Sequence, residues 1–396
     1  MNLSDRRVVF GVSGGIACYK ACTVARRLTE AGAAVDVVMT AAASEFVRPV
    51  TFEALTNRPV YHSLWEGGAL AHVRLPDGAD LTLVAPATAN LIARSALGLA
   101  DDFLTAMLLA SNGPVLIAPA MNDRMFKHPA TQTNLATLRA RGWHVIGPDV
   151  GPLAEGPSEK PGRMSEPEAI VAEAARLIVG PGSALRGKRV VVTAGPTREA
   201  MDPVRVLSNR SSGRMGFEIA TAAYGRGAEV SLITGPTSLL PPFGPKLIGV
   251  ESTEAMLAAV SDAVADADVV VMAAAPADYR FLNPNDRKRA RSDGSVTIEL
   301  EPTPDILVET TARRKTGAVV VGFALETHDG VERARQKLAE KQLDLVVLNY
   351  ANEEGAGFEV STNRVTLVSE DSEIELPLMS KSEVAERILD AAEKLM

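Results

Sequence analysis

The sequence predicts an α/β protein made of two doubly wound, Rossmann-like parallel-sheet domains. Three observations carry that prediction. Short β-rich apolar runs alternate with helix-length segments in both halves of the chain, and strands covered on both faces by crossover helices read as such unbroken runs. The breaker cluster Gly180-Pro181-Gly182-Ser183 interrupts the alternation, and a second strand, turn and helix series starts directly after it. A length of 396 residues suits two or three domains of ordinary size better than one.

In the first half the runs are Val8 to Val12, Val35 to Met39, Leu81 to Ala85, Val115 to Ala118 and Val145 to Ile146. From Gly147 to Gly162 the chain holds four Gly and four Pro with almost no periodicity, and Pro167 to Val179 then reads as a helix. The second half has runs at Val190 to Val192, Val230 to Ile233, Val269 to Met272, Val319 to Val321 and Leu345 to Leu348. Helices are expected over Thr253 to Asp266 and Gly330 to Lys341, a late hairpin over Val360 to Leu376 and a closing helix over Lys381 to Leu395. The expected domains are residues 1–180 and 188–396, with 181–187 as a linker.

Composition narrows the function classes. With 46% hydrophobic and 23% charged residues, wholesale disorder is excluded. A net charge of −8, spread along the chain, argues against nucleic acid as the main partner. Apolar stretches such as Val269 to Ala277 fall far below the ~18 residues of a membrane span. Arg6 and Arg7 before Val8 faintly imitate a signal peptide, but Ser13, Gly14, Gly15 and Lys20 interrupt it, so strand and turn are expected. Cys18 and Cys22, the only two cysteines, form neither a disulfide framework nor a zinc spacing and suit a reducing cytoplasm. His62, His72, His128, His144 and His328 make no metal-ligand motif.

Gly11-Val-Ser-Gly-Gly-Ile16 joins the first strand to a helix expected to begin near Ile16. Glycines let backbone approach an anion, and a helix start offers free N–H groups, so a phosphate can bind there; a tight turn without ligand is the alternative. The spacing is not GxGxxG and Thr40, not an acid, ends the second strand, which weakens an NAD reading. Pro119-Ala-Met-Asn122 follows a strand, and ligands of open α/β sheets gather at strand carboxyl ends, which places Asn122, Thr88 and Asn90 in the expected crevice. A capping Asn is the structural alternative. His72 read alone is a structural histidine more often than a catalytic one.

In the second half Thr193-Ala-Gly-Pro-Thr197 follows a strand, and Ser208-Asn209-Arg-Ser-Ser-Gly213-Arg-Met-Gly216 enters a helix. Small residues at a helix start, flanked by Arg205, Arg210 and Arg214, form a phosphate cradle or a Ser-rich cap; the Gly-Lys-Ser/Thr ending of a Walker loop is missing. Ala273-Ala-Ala-Pro-Ala-Asp278, the basic run Arg287-Lys-Arg-Ala-Arg291, and Val321-Gly-Phe323-Ala-Leu-Glu326 all fall at or just beyond strand ends. Lys337 and Lys341 share a helix face, which by itself reads as a solvated surface.

Gly11 to Ala17, Ala71-His72-Val73, Ala85-Pro-Ala-Thr-Ala-Asn90, Ala100-Asp-Asp102 and Pro119 to Asn122 together resemble the homo-oligomeric flavin-containing cysteine decarboxylases. With the second-half motifs, nearly the whole chain resembles the bifunctional phosphopantothenoylcysteine decarboxylase and phosphopantothenate–cysteine ligase family of coenzyme A synthesis. The resemblance implies a flavodoxin-like flavoprotein domain, FMN-dependent decarboxylation through a thioaldehyde, and a large homo-oligomer, a dodecamer among the allowed sizes, with FMN bound between protomers. It implies His72 as acid/base group and Asn122 on the substrate carboxylate. Ser13, Thr40 and Thr88 would bind flavin and its phosphate, with Gly11, Gly14, Gly15 and Ile16 shaping the loop.

For the second domain the resemblance implies that CTP activates 4′-phosphopantothenate as an acyl-cytidylate, from which cysteine displaces CMP. Asn209 matches the residue for acyl-cytidylate turnover, Asp278 the nucleotide-contacting acid after Ala273 and Ala274, Phe323 the residue packed by cytosine, and Pro304, Asp305 and Ile306 the backbone patch reading the base edge. Lys288, Lys337, Lys341 and Mg2+, whose ligands stay unknown, would offset phosphate charge. Arg287, Lys288 and Arg289 compete for one of these roles, and Lys288 is preferred as a compact point charge. One departure stands out: Glu155 occupies the flap position where the family carries a cysteine. A carboxylic acid in a closed pocket can take over proton donation, or Glu155 is a solvated flap residue. Alternative readings are an oxidative decarboxylase that stops at the ene-thiol and a flavin-binding regulatory protein.

Overall fold

The computed structural model describes residues 2–154, 156–288, 297–326, 328–350 and 360–396. They divide into two compact units, 2–179 and 180–396. Residues 181–187, expected as a linker, belong to the second unit, because Leu185 is fully buried in its core. Among the described residues no helix is long and apolar enough to cross a membrane.

The first unit's main strands are β1 (Arg7–Val12), β2 (Ala34–Met39), β3 (Val60–Tyr61), β4 (Leu81–Ala87), β5 (Val115–Pro119) and β6 (His144–Val145). They form one parallel sheet in the order β3-β2-β1-β4-β5-β6. This is the Rossmann order, and without the two-residue β3 it becomes the flavodoxin-like order. Either way the order reverses between β1 and β4. Helices α1 (Cys18–Glu30), α2 (Pro49–Thr56), α3 (Ala71–Arg74), α4 (Ala89–Leu97), α5 (Phe103–Ala110), α6 (Asp123–Lys127), α7 (Pro129–Ala140) and α8 (Pro167–Ile178) surround it. Helix α1 packs with α2 and α8, and α4 with α5 and α7. Such cover buries Val8, Val9, Phe10, Leu81, Leu83 and Val84 on the central strands.

The Gly- and Pro-rich stretch, for which no regular element is expected, folds as an antiparallel ribbon of β7 (Asp149–Val150) and β8 (Pro161–Arg163). The ribbon lies on the loop after β5: Met121 N donates to Gly162 O at 3.0 Å, and a Cβ on Gly162 would meet the Met121 carbonyl oxygen at 2.6 Å. Only glycine permits that approach.

In the second unit the elements are β9 (Arg189–Ala194), β10 (Arg198–Ala200), β11 (Val206–Ser208), α9 (Arg214–Gly225), β12 (Glu229–Thr234), β13 (Lys246–Gly249), α10 (Thr253–Ala263), β14 (Val269–Met272), β15 (Tyr279–Phe281) and β16 (Leu300–Pro302). They continue with α11 (Ile306–Glu309), β17 (Val319–Glu326), α12 (Gly330–Glu340), β18 (Leu345–Tyr350), β19 (Thr362–Asn363), β20 (Thr366–Val368), β21 (Glu373–Glu375), β22 (Met379–Ser380) and α13 (Lys381–Lys394). The main sheet runs β13-β12-β9-β14-β17-β18-β20-β21. Its first six strands are parallel and repeat the order of the first unit, with the reversal between β9 and β14.

The last two strands pair antiparallel, so this sheet is mixed where an all-parallel one is expected. Between β20 and β21 the reason is local: a short hairpin has no room for a crossover helix and can pair only that way. Helix α13 packs on α9, where the nearly buried Arg226 guanidinium meets Glu386, Asp390 and Glu393.

Candidate active sites

A cavity of about 990 Å3 opens at the carboxyl ends of the first sheet. Its walls are the loops after β1, β2, β4 and β5, closed on one side by the β7–β8 ribbon. Four expected site residues take their positions here from local backbone needs. Thr40 caps the 3-10 turn after β2 by accepting from Ala43 N, and Thr88 caps α4 by accepting from Leu91 N. Asn122 caps α6, its Oδ1 accepting from Arg124 N at 2.8 Å. The capping alternative for Asn122 therefore holds, and the same bond aims its side chain at the cavity it lines. Ser13, almost fully buried, donates to Pro86 O at 2.8 Å and accepts from Thr88 N at 3.0 Å, fastening the loop after β1 to that after β4.

Helix α1 starts at Cys18, slightly later than expected, and has no side-chain cap. The Cys18 and Lys20 amides are taken up by Gly15 O and Ala17 O, so the backbone that faces a ligand is that of Gly14, Gly15, Ile16 and Ala17 on the cavity wall. Sequence reasoning missed the charges of this site. Lys20 Nζ, on the wall, donates to Glu166 Oε1 at 3.1 Å, and Arg163 of β8 reaches the same carboxylate at 2.5 Å. Arg94, also on the wall, pairs with Asp101 and Asp102, and these carboxylates outweigh burial and hold its guanidinium above the usual range. The Ala100-Asp-Asp102 motif is the one signal that points to this cluster.

Other expected residues lie elsewhere. Gly11 sits inside β1, where a Cβ would strike Leu104 Cδ1 at 2.6 Å, so its lack of a side chain serves packing on α5. His72, on α3, is outside the cavity of its own chain: its ring stands edge-on to Phe103, and its buried Nδ1 has no hydrogen-bond partner among the described residues. Glu155 and Arg289 lie outside the described residues; Ala154 beside Glu155 lines the cavity. Neither cysteine is on the wall; burial pushes both thiols above the usual range, and Cys18 Sγ donates to Ser13 O.

The second sheet carries a smaller cavity of about 220 Å3 at the carboxyl ends of β14 and β17. It brings together Ala274, Asp278, Pro304, Asp305, Ile306, Phe323, Lys337 and Lys341, all expected around a nucleotide. Lys337 Nζ donates to Phe323 O at 2.6 Å, and Lys341 pairs with Asp305. Burial, then the nearby Lys341, lowers the Lys337 ammonium below the usual range. Asn209 is off this wall, but its amide donates to Ala275 O and Pro276 O at 3.1 and 2.9 Å, which ties it to the loop that ends at Asp278. Ala273 precedes the wall, and Lys288 is exposed in the loop after β15. Helix α9 lies so close to β9 that a Cβ on Gly216 would meet Thr193 O at 2.7 Å. Among the described residues no three His, Cys, Asp or Glu side chains converge as metal ligands.

Two doubly wound units, each with a cavity at its strand ends, define an α/β protein of the ligand-binding Rossmann-like class. The flavoprotein family model matches residues 1–179, and that of the DNA/pantothenate metabolism flavoprotein C-terminal domain matches 185–396. The coenzyme A biosynthesis bifunctional protein CoaBC of Vibrio vulnificus strain YJ016 is 43% identical over 399 residues, covering 100% of this chain and 99% of that protein. That of Bacillus subtilis strain 168 is 47% identical over 393 residues, covering 98% and 96%. A crystal structure of the C-terminal domain of CoaBC is 41% identical and covers 54% of this chain and 98% of that one, with a TM-score of 0.46. The chain belongs to the CoaBC family of coenzyme A biosynthesis bifunctional proteins.

Proposed function

We propose that the second unit joins cysteine to 4′-phosphopantothenate through an acyl-cytidylate formed from CTP, and that the first unit, with FMN, decarboxylates the product to 4′-phosphopantetheine. The observation that carries this reading is the large cavity of the first unit, which fits FMN. Its roughly 990 Å3 lies at the upper end of ordinary ligand sites. The uncapped start of α1 suits a phosphate. Gly15 leaves the loop open, since an added Cβ would touch only Thr88 Cγ2, at 3.5 Å.

When bound there, FMN would supply the hydride acceptor and donor that decarboxylation of the substrate needs. Asn122 holds the substrate carboxylate without adding charge, its amide fixed by the cap bond to Arg124. His72 serves the cavity of a neighbouring copy, where its unpartnered Nδ1 or the opposite ring nitrogen moves a proton. Mixing inactive His72→Asn and Asn122→Ala chains tests this: recovered decarboxylation supports a shared site, and none refutes it. Glu155 gives the proton that accompanies the returning hydride. If Glu155→Ala still makes only the saturated thiol, that assignment fails; an ene-thiol product supports it.

In the second unit cytosine packs on Phe323, with the backbone of Pro304, Asp305 and Ile306 at its edge. Lys337, Lys341 and Lys288 offset charge on the triphosphate and acyl phosphate. Asn209 orients the acyl-cytidylate for attack by the cysteine amine. Asp278 would be the protein carboxylate to hold Mg2+, which would supply positive charge against the nucleotide phosphates, since Mg2+ commonly keeps most of its waters and takes one or two carboxylates. Incubation with 4′-phosphopantothenate, cysteine, CTP and Mg2+ followed by mass analysis is the test, with ATP in a parallel tube. Formation of 4′-phosphopantetheine by a yellow protein supports the reading; a colourless protein that releases neither product overturns it.

A further inference from the structure

Beneath the second cavity runs a chain of buried hydrogen bonds whose own side chains, Glu199, Thr253 and Thr197, are off the cavity wall and carry no chemical role so far, and whose far end meets the wall at Ala277. Glu199, on β10 and 7% exposed, accepts from Thr253 N at 2.8 Å and Thr253 Oγ1 at 2.9 Å. Thr253 opens α10, so the carboxylate also faces the positive end of that helix. Thr253 Oγ1 lies 2.8 Å from Thr197 Oγ1, and Thr197 Oγ1 accepts from Ala277 N at 2.9 Å. Both threonines are essentially inaccessible to solvent.

The proton count gives this chain a direction. A hydroxyl has one proton, and a carboxylate is the stronger acceptor. Thr253 therefore donates to Glu199, Thr197 donates to Thr253, and the remaining acceptor capacity of Thr197 meets the Ala277 amide. The far end fans out over both functional loops. Ala277 O accepts from Thr303 Oγ1 at 2.6 Å, and Thr303 N donates to Asp278 O at 3.0 Å, which fixes Asp278 against the segment that begins at Pro304. The Thr197 carbonyl accepts from Ser208 Oγ at 2.7 Å, beside Asn209.

We propose that Thr197, Thr253 and Glu199 are positioning residues for the ligase reaction, holding the Asn209 loop and the Asp278 and Pro304–Ile306 walls in one register before nucleotide arrives. The inference rests on the CTP-dependent ligase reading of this unit. It explains why a carboxylate is buried where it touches no substrate: its charge orders two hydroxyls that would otherwise be free to point either way.

The full-length protein tests it with its own internal control. Thr197→Val is expected to raise KM for CTP about tenfold, the scale on which loss of one buried hydrogen bond acts. KM for cysteine, flavin content and decarboxylation of supplied 4′-phosphopantothenoylcysteine stay unchanged, and Thr197→Ser, which keeps the hydroxyl, returns KM for CTP to within about twofold of the parent. An unchanged KM for CTP in Thr197→Val overturns the proposal. A second measurement does not depend on the variant folding: hydrogen–deuterium exchange of the nucleotide-free parent should show slow amides at Ala277 and Thr253, and fast exchange there overturns it equally. Absence of any CTP-dependent ligation by the parent would instead defeat the ligase reading.

Discussion

Two adjacent glycines in the loop after β1 give opposite predictions. A Cβ on Gly14 would lie 2.4 Å from Ala42 Cβ and 2.6 and 2.7 Å from the Ala42 carbonyl carbon and oxygen. Ordinary contact begins near 3.4 Å, so the loops after β1 and β2 must part by about 1 Å, against backbone that cannot rotate away. Overpacking of that kind costs about 1–3 kcal/mol. Taking ~2 kcal/mol, the first unit's melting transition should fall by about 4–8 °C in Gly14→Ala. A Cβ on Gly15 would meet only Thr88 Cγ2 at 3.5 Å and otherwise projects into the cradle. Stripped of flavin, Gly15→Ala should therefore melt within about 2 °C of the flavin-free parent, and yet as purified it should lose visible flavin absorbance. Thermal unfolding and absorbance of the two purified variants decide the matter. If Gly14→Ala melts with the parent, or Gly15→Ala keeps its flavin, the assignment of the first glycine to packing and the second to ligand access is wrong.

Three further outcomes are expected. Asn122→Asp keeps the cap on α6 and so its stability, but places a negative charge against the substrate carboxylate; decarboxylation should be lost while urea unfolding is unchanged, whereas Asn122→Ala should also lose about 1 kcal/mol. Arg226→Leu leaves Glu386, Asp390 and Glu393 of α13 without the guanidinium they share, and urea unfolding of the second unit should shift by about 3 kcal/mol with flavin content untouched. The Arg205 guanidinium holds the Asp202 carboxyl down at about 2. A lowered folded-state value means stability that is present above the ordinary carboxylate value and lost as pH falls toward 2; urea midpoints of the second unit at pH 4, 3 and 2 should fall more steeply for the parent than for Asp202→Asn.

The strands are legible because burial on both faces demands unbroken apolar runs. Val269 to Met272 coincides with β14, and where runs end early the reason is pairing: β17 continues past Val321 to Glu326 because β18 bonds beside it as far as Tyr350. Topology then places the strand-end loops, so Thr40, Thr88, Asn122, Asp278 and Phe323 reach cavity walls without any knowledge of contacts. The Gly- and Pro-rich ribbon is not legible, since its two short strands have no periodicity to display and depend on Gly162 lying against Met121.

Charges resist sequence reading for a different reason. Lys20 looks like an ordinary helix-surface lysine until the fold brings Glu166 to it from 146 residues away, and Glu199 looks like a surface acid until α10 arrives above it. His72 marks the limit of a single chain. Its motif is recognisable, but the cavity it should serve is not beside it, and an imidazole nitrogen left buried and unpartnered is a costly arrangement for a residue that only packs. Among the described residues of one copy, no histidine lines the cavity and the His72 Nδ1 has no hydrogen-bond partner. Both deficits are removed together if copies assemble with this face of one chain against the cavity of another, which is why complementation between His72 and Asn122 variants tests more of the site than either variant does alone.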